Sequence, residues 1–153
     1  MLKSAKLREA VQSRSLTRLT KALSDAADGL GYQLKPPYTE ILELRAKQVG
    51  GRFQVHFDAR LHLHYASSLR ERAGLVFVIQ FGGEALSDSP SPPVDELFYA
   101  AAVHSLQITD YGPRRDQKRT TVSKEIAEHL ELPSNNLKPI TLESFCKMVD
   151  GET

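Results

Sequence analysis

The chain has 153 residues, and its 20 basic and 19 acidic side chains give a formal net charge of +1. This length suits one domain over residues 1–153, and the near-zero charge gives no global attraction to nucleic acid or to a membrane surface. One cysteine, Cys146, excludes an internal disulfide. The absence of a bilayer-length apolar run and the charged N-terminus predict a cytoplasmic protein with no membrane contact.

Residues 1–31 are predicted to form a basic amphipathic helix, in one piece or two. Basic side chains are interspersed with leucine and alanine, and Gly29 stands where a helix would end. Apolar residues recur at the three-four spacing of one helix face at Leu16, Leu19, Leu23 and Ala26. We expect this stripe to pack on its own domain; contact with a partner, another subunit or an anionic surface is the alternative.

Residues 38–86 are predicted to form an antiparallel sheet. From Arg52 to Tyr65 apolar or aromatic residues alternate without a break with polar or charged ones, which predicts a long strand with one buried face. The preceding stretch alternates too, with Leu42 expected on its buried face, and the glycine pair at Gly50 predicts a hairpin turn. An apolar run then indicates a central strand that ends at the glycine pair at Gly82. We therefore predict a meander of three or four strands.

Residues 94–149 are predicted to form helices that cover one face of this sheet. Asp95 and Glu96 suit the positive end of a helix over residues 97–106. A further helix is expected from Thr121, and a last short element over residues 140–149. Strands followed by helices indicate the α+β class, an antiparallel meander with helices on one face.

The sequence offers little support for an enzyme. The glycine pairs lack the spacing and the following helix of a phosphate-binding loop, and Cys146 lies in an apolar segment where a thiol is usually inert. His56, His62 and His64 share one strand face, but a metal would need a third ligand near the last two, such as Asp58. We expect no catalytic residue, metal or cofactor, and a polar face that meets solvent or another subunit.

The segment from Thr121 to Leu137 resembles a helix-turn-helix, and the basic residues before it would suit phosphate contacts. Two features count against this interpretation. Glu131 stands where the tight turn normally has glycine, and Pro139 would break the recognition helix. A DNA-binding regulator is therefore the alternative function, and nucleic acid is not the expected partner.

Two stretches of the sequence resemble SecB-type chaperones. Residues 78–86, VIQFGGEAL, are similar to a strand and glycine turn of that family. Residues 132–145, LPSNNLKPITLESF, are similar to its closing segment, where a proline, a leucine and a second proline precede a short final helix. The basic N-terminal helix looks more like the SecB-like chaperones associated with toxin-antitoxin systems. The mixed-to-basic outer sheet face departs from the acidic face with which the export chaperone docks on its translocation motor.

The resemblance implies a homo-oligomer, a dimer or tetramer, that holds unfolded or extended polypeptides in apolar grooves without ATP. The client could be an antitoxin or another specific protein. Candidate polypeptide-binding residues are Phe81, Leu86, Phe98, Tyr99, Leu132, Leu137, Ile140 and Phe145. Each of them has an alternative role as ordinary core between sheet and helices. A protein built mainly to assemble with another subunit is a further alternative.

Overall fold

The computed structural model describes residues 3–69, 72–112 and 137–151. Within these ranges the chain forms a six-stranded antiparallel sheet with helices, which confirms the predicted α+β class. The strands are β1 (Tyr32–Leu34), β2 (Tyr38–Val49), β3 (Arg52–Ser67), β4 (Gly74–Ser87), β5 (Ala102–Tyr111) and β6 (Leu137–Ile140). The helices are α1 (Ala5–Ser13), α2 (Leu16–Gly29), α3 (Val94–Leu97) and α4 (Leu142–Val149), and a 3-10 turn (Phe98–Ala100) follows α3. None of these helices has both the length and the apolar character needed to cross a bilayer.

Strand β3 is the centre of the sheet. On one side it pairs with β4 from Phe53 to Ala66, and on the other side with β1 and β2, which lie end to end. Strands β5 and β6 extend the sheet beyond β4. The predicted meander is confirmed, and the β2–β3 turn contains Gly50 with a φ of +64°, a conformation that favours glycine. Strand β1 lies outside the predicted sheet, which begins at residue 38.

Helices α1, α2 and α4 cover the face of the sheet on which the odd-numbered side chains of β3 lie. Phe57 and Tyr65 are buried there, and the Tyr65 hydroxyl forms a 2.6 Å hydrogen bond with Ser24 of α2. From α4, Phe145 packs against Phe77 of β4 with 5.2 Å between ring centroids. Each such large side chain contributes roughly 1.5–3 kcal/mol when buried, so this shared core determines which face the helices occupy.

The predicted N-terminal helix consists of two helices. Arg14 has a left-handed backbone conformation, with a φ of 58°, and ends α1. Ser15 then caps α2, because its side chain accepts a hydrogen bond from the main-chain N–H of Arg18 at 3.4 Å. The apolar stripe of α2 is buried as expected, except that Ala27 is the buried residue of its last turn and Ala26 is half-buried.

A short helix does begin at the predicted acidic start, as α3 and the 3-10 turn, but the chain enters β5 at Ala102. The predicted helix over residues 97–106 is therefore wrong beyond residue 100, and residues 94–149 are not all helical. A β-bulge in β5 interrupts the alternation that would indicate a strand. Phe81 pairs with Val103, while Ile79 pairs with Leu106, so one extra residue is accommodated between the two positions. Two inward-facing residues three apart therefore imitate the spacing of a helix face.

The glycine pair at Gly82 does not end β4, which continues to Ser87. A Cβ atom on Gly82 would lie 2.7 Å from the carbonyl oxygen of Phe57, and one on Gly83 would lie 2.7 Å from that of Ala100. These glycines permit close approach of neighbouring backbone within a strand. The turn interpretation is therefore wrong for this pair.

A polar clamp joins the start of α1 to the end of α4. The main-chain N–H of Ser4 donates to Asp150 Oδ1 at 2.8 Å, and the Ser4 hydroxyl donates to Asp150 Oδ2 at 2.9 Å. Arg8 donates from both terminal nitrogens to Glu143 at 2.9 and 3.2 Å, and this pairing lowers the pKa of the Glu143 carboxyl. Because Ser4 is fully buried, its donors depend on the carboxylate of Asp150.

We expect Asp150→Ala to lower the free energy of unfolding by about 1–3 kcal/mol, since it leaves two buried donors without an acceptor. Urea denaturation measures this loss. Glu9→Ala, which removes an exposed carboxylate of α1, is the control and should change stability by no more than about 0.5 kcal/mol. Equal effects of the two substitutions would contradict the role of the clamp.

Candidate polypeptide-binding surface

Strand β2 forms one edge of the sheet. It is 12 residues long and, within the described ranges, pairs with β3 alone. An edge strand presents a row of main-chain donors and acceptors that can pair with another extended chain. Glu43, Arg45 and Lys47 place charges on this strand, the usual protection of an edge against uncontrolled association.

The edge strand also exposes apolar side chains. Their exposed fractions lie between 39% and 49%, at Leu42 (39%), Tyr38 (40%), Ile41 (42%) and Val49 (49%). Ile41 pairs with Ala59 and Glu43 pairs with Asp58, so Leu42 is the extra residue of a β-bulge. The bulge leaves two adjacent aliphatic side chains partly open to solvent. We refer to Tyr38, Ile41, Leu42 and Val49 together as the edge patch.

A groove of about 380 Å³ lies at the end of β4, beside the start of β3. Leu86 and Tyr99 line it, with exposed fractions of 54% and 73%. An ion pair of 3.3 Å between Arg52 and Asp88 joins two of its lining residues. Because Arg52 is the pairing partner of Val49, the groove lies at the same end of the sheet as the last residue of the edge patch.

Of the eight candidate residues, the structure brings only Leu86 and Tyr99 together at an exposed surface in the described ranges. Phe98 and Ile140 are half-buried. Phe81, Leu137 and Phe145 are buried, so in this chain they have the alternative role of core residues. Leu132 lies outside the described residues.

The buried candidates belong to two different cores. Phe81 contacts Phe98, with 5.4 Å between ring centroids, beneath the helices, and Phe145 belongs to the same cluster. Leu137 belongs to a smaller cluster with Val76, Val78 and Tyr111 on the opposite face. The candidates are large apolar residues in or near the stretches that resemble SecB-type chaperones, and the sequence does not indicate which face of the sheet each of them occupies.

The sequence pattern does not predict the edge patch. Strict alternation in β2 predicts that Leu42 lies on the buried face of the strand. A signal was present, because Ile41 and Leu42 are consecutive and strict alternation must turn one of them outward. The bulge that exposes both could be located only from the pairing register.

The outer face of β3 carries polar side chains, as predicted, and most have partners on neighbouring strands. Asp58 accepts a 3.3 Å hydrogen bond from Gln80. His56 lies 3.7 Å from Glu84, and His62 lies 3.7 Å from Glu40; each of these two pairs is ionic only when its histidine is protonated. Arg60 forms an ion pair of 3.5 Å with Glu40. No group of three or more His, Cys, Asp or Glu residues in the described part of the chain is arranged to hold a metal ion. This face is a mixed polar surface.

A histidine–tyrosine hydrogen bond crosses this outer face. His64 Nε2 and the Tyr111 hydroxyl lie 2.6 Å apart, and Tyr111 reaches across β4 at Gly74, where a Cβ atom would lie 2.5 Å from that hydroxyl. Burial, together with the charge of Lys35, lowers the pKa of His64. Burial also raises the pKa of Tyr111 to about 12, so the phenol stays protonated at neutral pH.

The predicted helix-turn-helix lies mostly outside the described residues, as does the basic cluster before it. Its last residue, Leu137, is described and begins β6, and Pro139 lies in the same strand. A helix therefore does not extend over these two positions. The DNA-binding alternative otherwise stays a prediction.

The lowered pKa of His64 predicts a pH dependence of stability. The unfolded chain binds this proton more readily, with a pKa of about 6.5, so the stabilisation is complete above that value and is lost as the pH falls below it. We expect the free energy of unfolding to decrease between about pH 7 and pH 5, and His64→Gln to reduce this slope. Urea denaturation at several pH values measures both; an unchanged slope in the variant would contradict the assignment.

Comparison with known proteins adds no relative to this description. No family model, no curated protein and no solved structure matches the chain. The resemblance to SecB-type chaperones rests on residues 78–86 and 132–145 of the sequence.

Proposed function

We propose that this chain is a non-enzymatic polypeptide-binding protein, a holdase, that takes an extended client segment as an added strand along β2. The observation that carries the proposal is the combination of a 12-residue edge strand with the partly exposed apolar residues of the edge patch. Strand addition needs both, because main-chain hydrogen bonds give affinity for many sequences and apolar contacts select unfolded ones.

The energetics of an added strand suit reversible capture. Each main-chain hydrogen bond contributes only about 0.5–1.5 kcal/mol net, so a short segment binds weakly and exchanges readily. Apolar burial of roughly 25 cal/mol per Å² supplies the preference for unfolded chains, whose apolar side chains are accessible. Neither contribution requires nucleotide or a cofactor, and the proposal includes neither.

The groove at Leu86 and Tyr99 supports the proposal as a second contact. It offers an aliphatic and an aromatic side chain for a large apolar residue of the client, at the end of the sheet where Val49 lies. Tyrosine suits this role because its ring is apolar while its hydroxyl stays hydrated. A client that follows β2 toward Val49 could place a side chain in this groove.

A second copy of the chain is the competing occupant of the same edge. The homo-oligomer, a dimer or tetramer, is part of the proposal, and assembly as the main role is the alternative that uses the same surface. The proposal also includes a cytoplasmic location and a dedicated client, such as an antitoxin. The buried single cysteine suits a reducing compartment.

We expect Leu42→Lys to weaken suppression of the aggregation of an unfolded client, without nucleotide. The concentration needed for half-suppression should rise about tenfold, the effect of roughly 1.4 kcal/mol, because the substitution puts a charge into the apolar part of the edge. Light scattering of the client measures this, and size-exclusion chromatography with light scattering measures the mass of each variant.

Gln12→Lys, which adds the same charge to the exposed face of α1, is the matched control and should act like the parent chain. If the parent chain leaves client aggregation unchanged, the holdase proposal fails. A loss of oligomer mass in Leu42→Lys with undiminished suppression would instead assign the edge to assembly.

A further inference from the structure

The two N-terminal helices and the end of α4 line a half-open groove of about 470 Å³, separate from the edge patch. Its apolar lining residues are Leu7, Ala22, Ala26, Leu30 and Val149. Leu7 is buried, whereas Ala22, Ala26 and Leu30 are only partly buried. The groove therefore has an apolar floor that the fold leaves partly uncovered.

The rim of this groove is basic. Lys3, Lys6, Arg18 and Lys21 line it with only two acidic residues, Glu9 and Asp25. Lys21 and Asp25 lie 3.7 Å apart and largely offset each other. The groove thus concentrates positive charge in a chain whose formal net charge is only +1, and it favours an anionic occupant.

The spacing of the lining residues gives the groove its length. Along α2 and its C-cap they run from Arg18 to Leu30 at alternating intervals of three and one residues and follow one side of the helix. Twelve steps of about 1.5 Å make roughly 18 Å, the length of about three helical turns. Ala22, Ala26 and Gly29 are small, so the axis of a second helix could approach α2 closely.

The main chain around the groove argues for a helical occupant. In the part of the chain that the structure describes, every lining residue belongs to a helix or lies within two residues of one, and none belongs to a strand. An extended peptide would find no row of donors and acceptors here for its own main-chain groups, whereas a helix satisfies those groups internally. This separates the groove from the β2 edge, where an extended segment is the suitable ligand.

We propose that this groove docks a short amphipathic helix of a partner protein, about three turns long, whose polar face is acidic. The apolar stripe of that helix contacts Ala22, Ala26 and Leu30, and its carboxylates pair with Lys6 and Arg18. The proposal is independent of the holdase function. It assigns a helical ligand to the helical layer, whereas the ligand of the β2 edge is an extended segment.

The test uses two synthetic helical peptides of about 16 residues with the same leucine stripe. One carries glutamate on its polar face and the other carries lysine. Fluorescence anisotropy should show that the acidic peptide binds about tenfold or more tightly than the basic one. Its affinity should fall between about 0.05 and 0.5 M salt, because the charges are exposed. Equal binding of the two peptides, or no binding of either, would overturn the proposal.

Two variants assign the binding to the groove. Lys6→Glu combined with Arg18→Glu should weaken the acidic peptide about tenfold or more, while Lys47→Glu combined with Lys138→Glu, two exposed lysines of the sheet, should not. Ala22→Phe should fill the groove and abolish binding. Because Lys6 and Arg18 are exposed, the first variant tests the charge even if Ala22→Phe fails to fold. An unchanged affinity in that first variant would place the peptide elsewhere and overturn the assignment.

Suppression of client aggregation distinguishes the two proposals. Lys6→Glu with Arg18→Glu should leave that activity at the level of the parent chain, since neither residue belongs to the edge patch or lines the groove at Leu86 and Tyr99. A variant that loses peptide binding but keeps the holdase activity supports two separate surfaces. Loss of both activities in a folded variant would contradict their separation.

Discussion

The period-two alternation of β3 is the constraint on which the rest of the structure depends. It sends aromatic and aliphatic side chains, such as Phe57 and Tyr65, to one face, and charged or histidine side chains to the other. Because β3 pairs on both sides, a register slip by one residue would turn every one of these side chains to the wrong face. The position of the helices, the polar outer face and the β2 edge all follow from this one strand.

Sequence reasoning succeeds here where local pattern and tertiary structure agree. The alternation of β3, the glycine turn at Gly50 and the stripe of α2 each depend on a periodicity that the fold preserves. It fails at the two bulges and at Gly82. A bulge shifts the period of a strand by one residue, so the sequence of β5 resembles that of a helix, and Leu42 resembles a buried residue. At Gly82, a glycine that permits close approach of two backbones resembles a glycine in a turn.

The candidate site was less predictable than the fold, for a related reason. The exposure of Leu86 and the burial of Phe81 depend on the face each occupies and on what covers that face, and composition carries neither fact. The sequence also does not indicate which carboxylates lie beside the histidines of the outer face. Glu40 and Glu84 lie on different strands and reach β3 only through the pairing register. Sites built across strands require the register before they can be recognised.

The clamp between Ser4 and Asp150 has a consequence for the order of folding during translation. The carboxylate that satisfies the start of α1 lies 146 residues further along the chain, so the ribosome releases the first helix long before its anchor is made. The clamp on α1 cannot form until the end of α4 has left the exit tunnel, so the helical layer closes only after all six described strands have been synthesised.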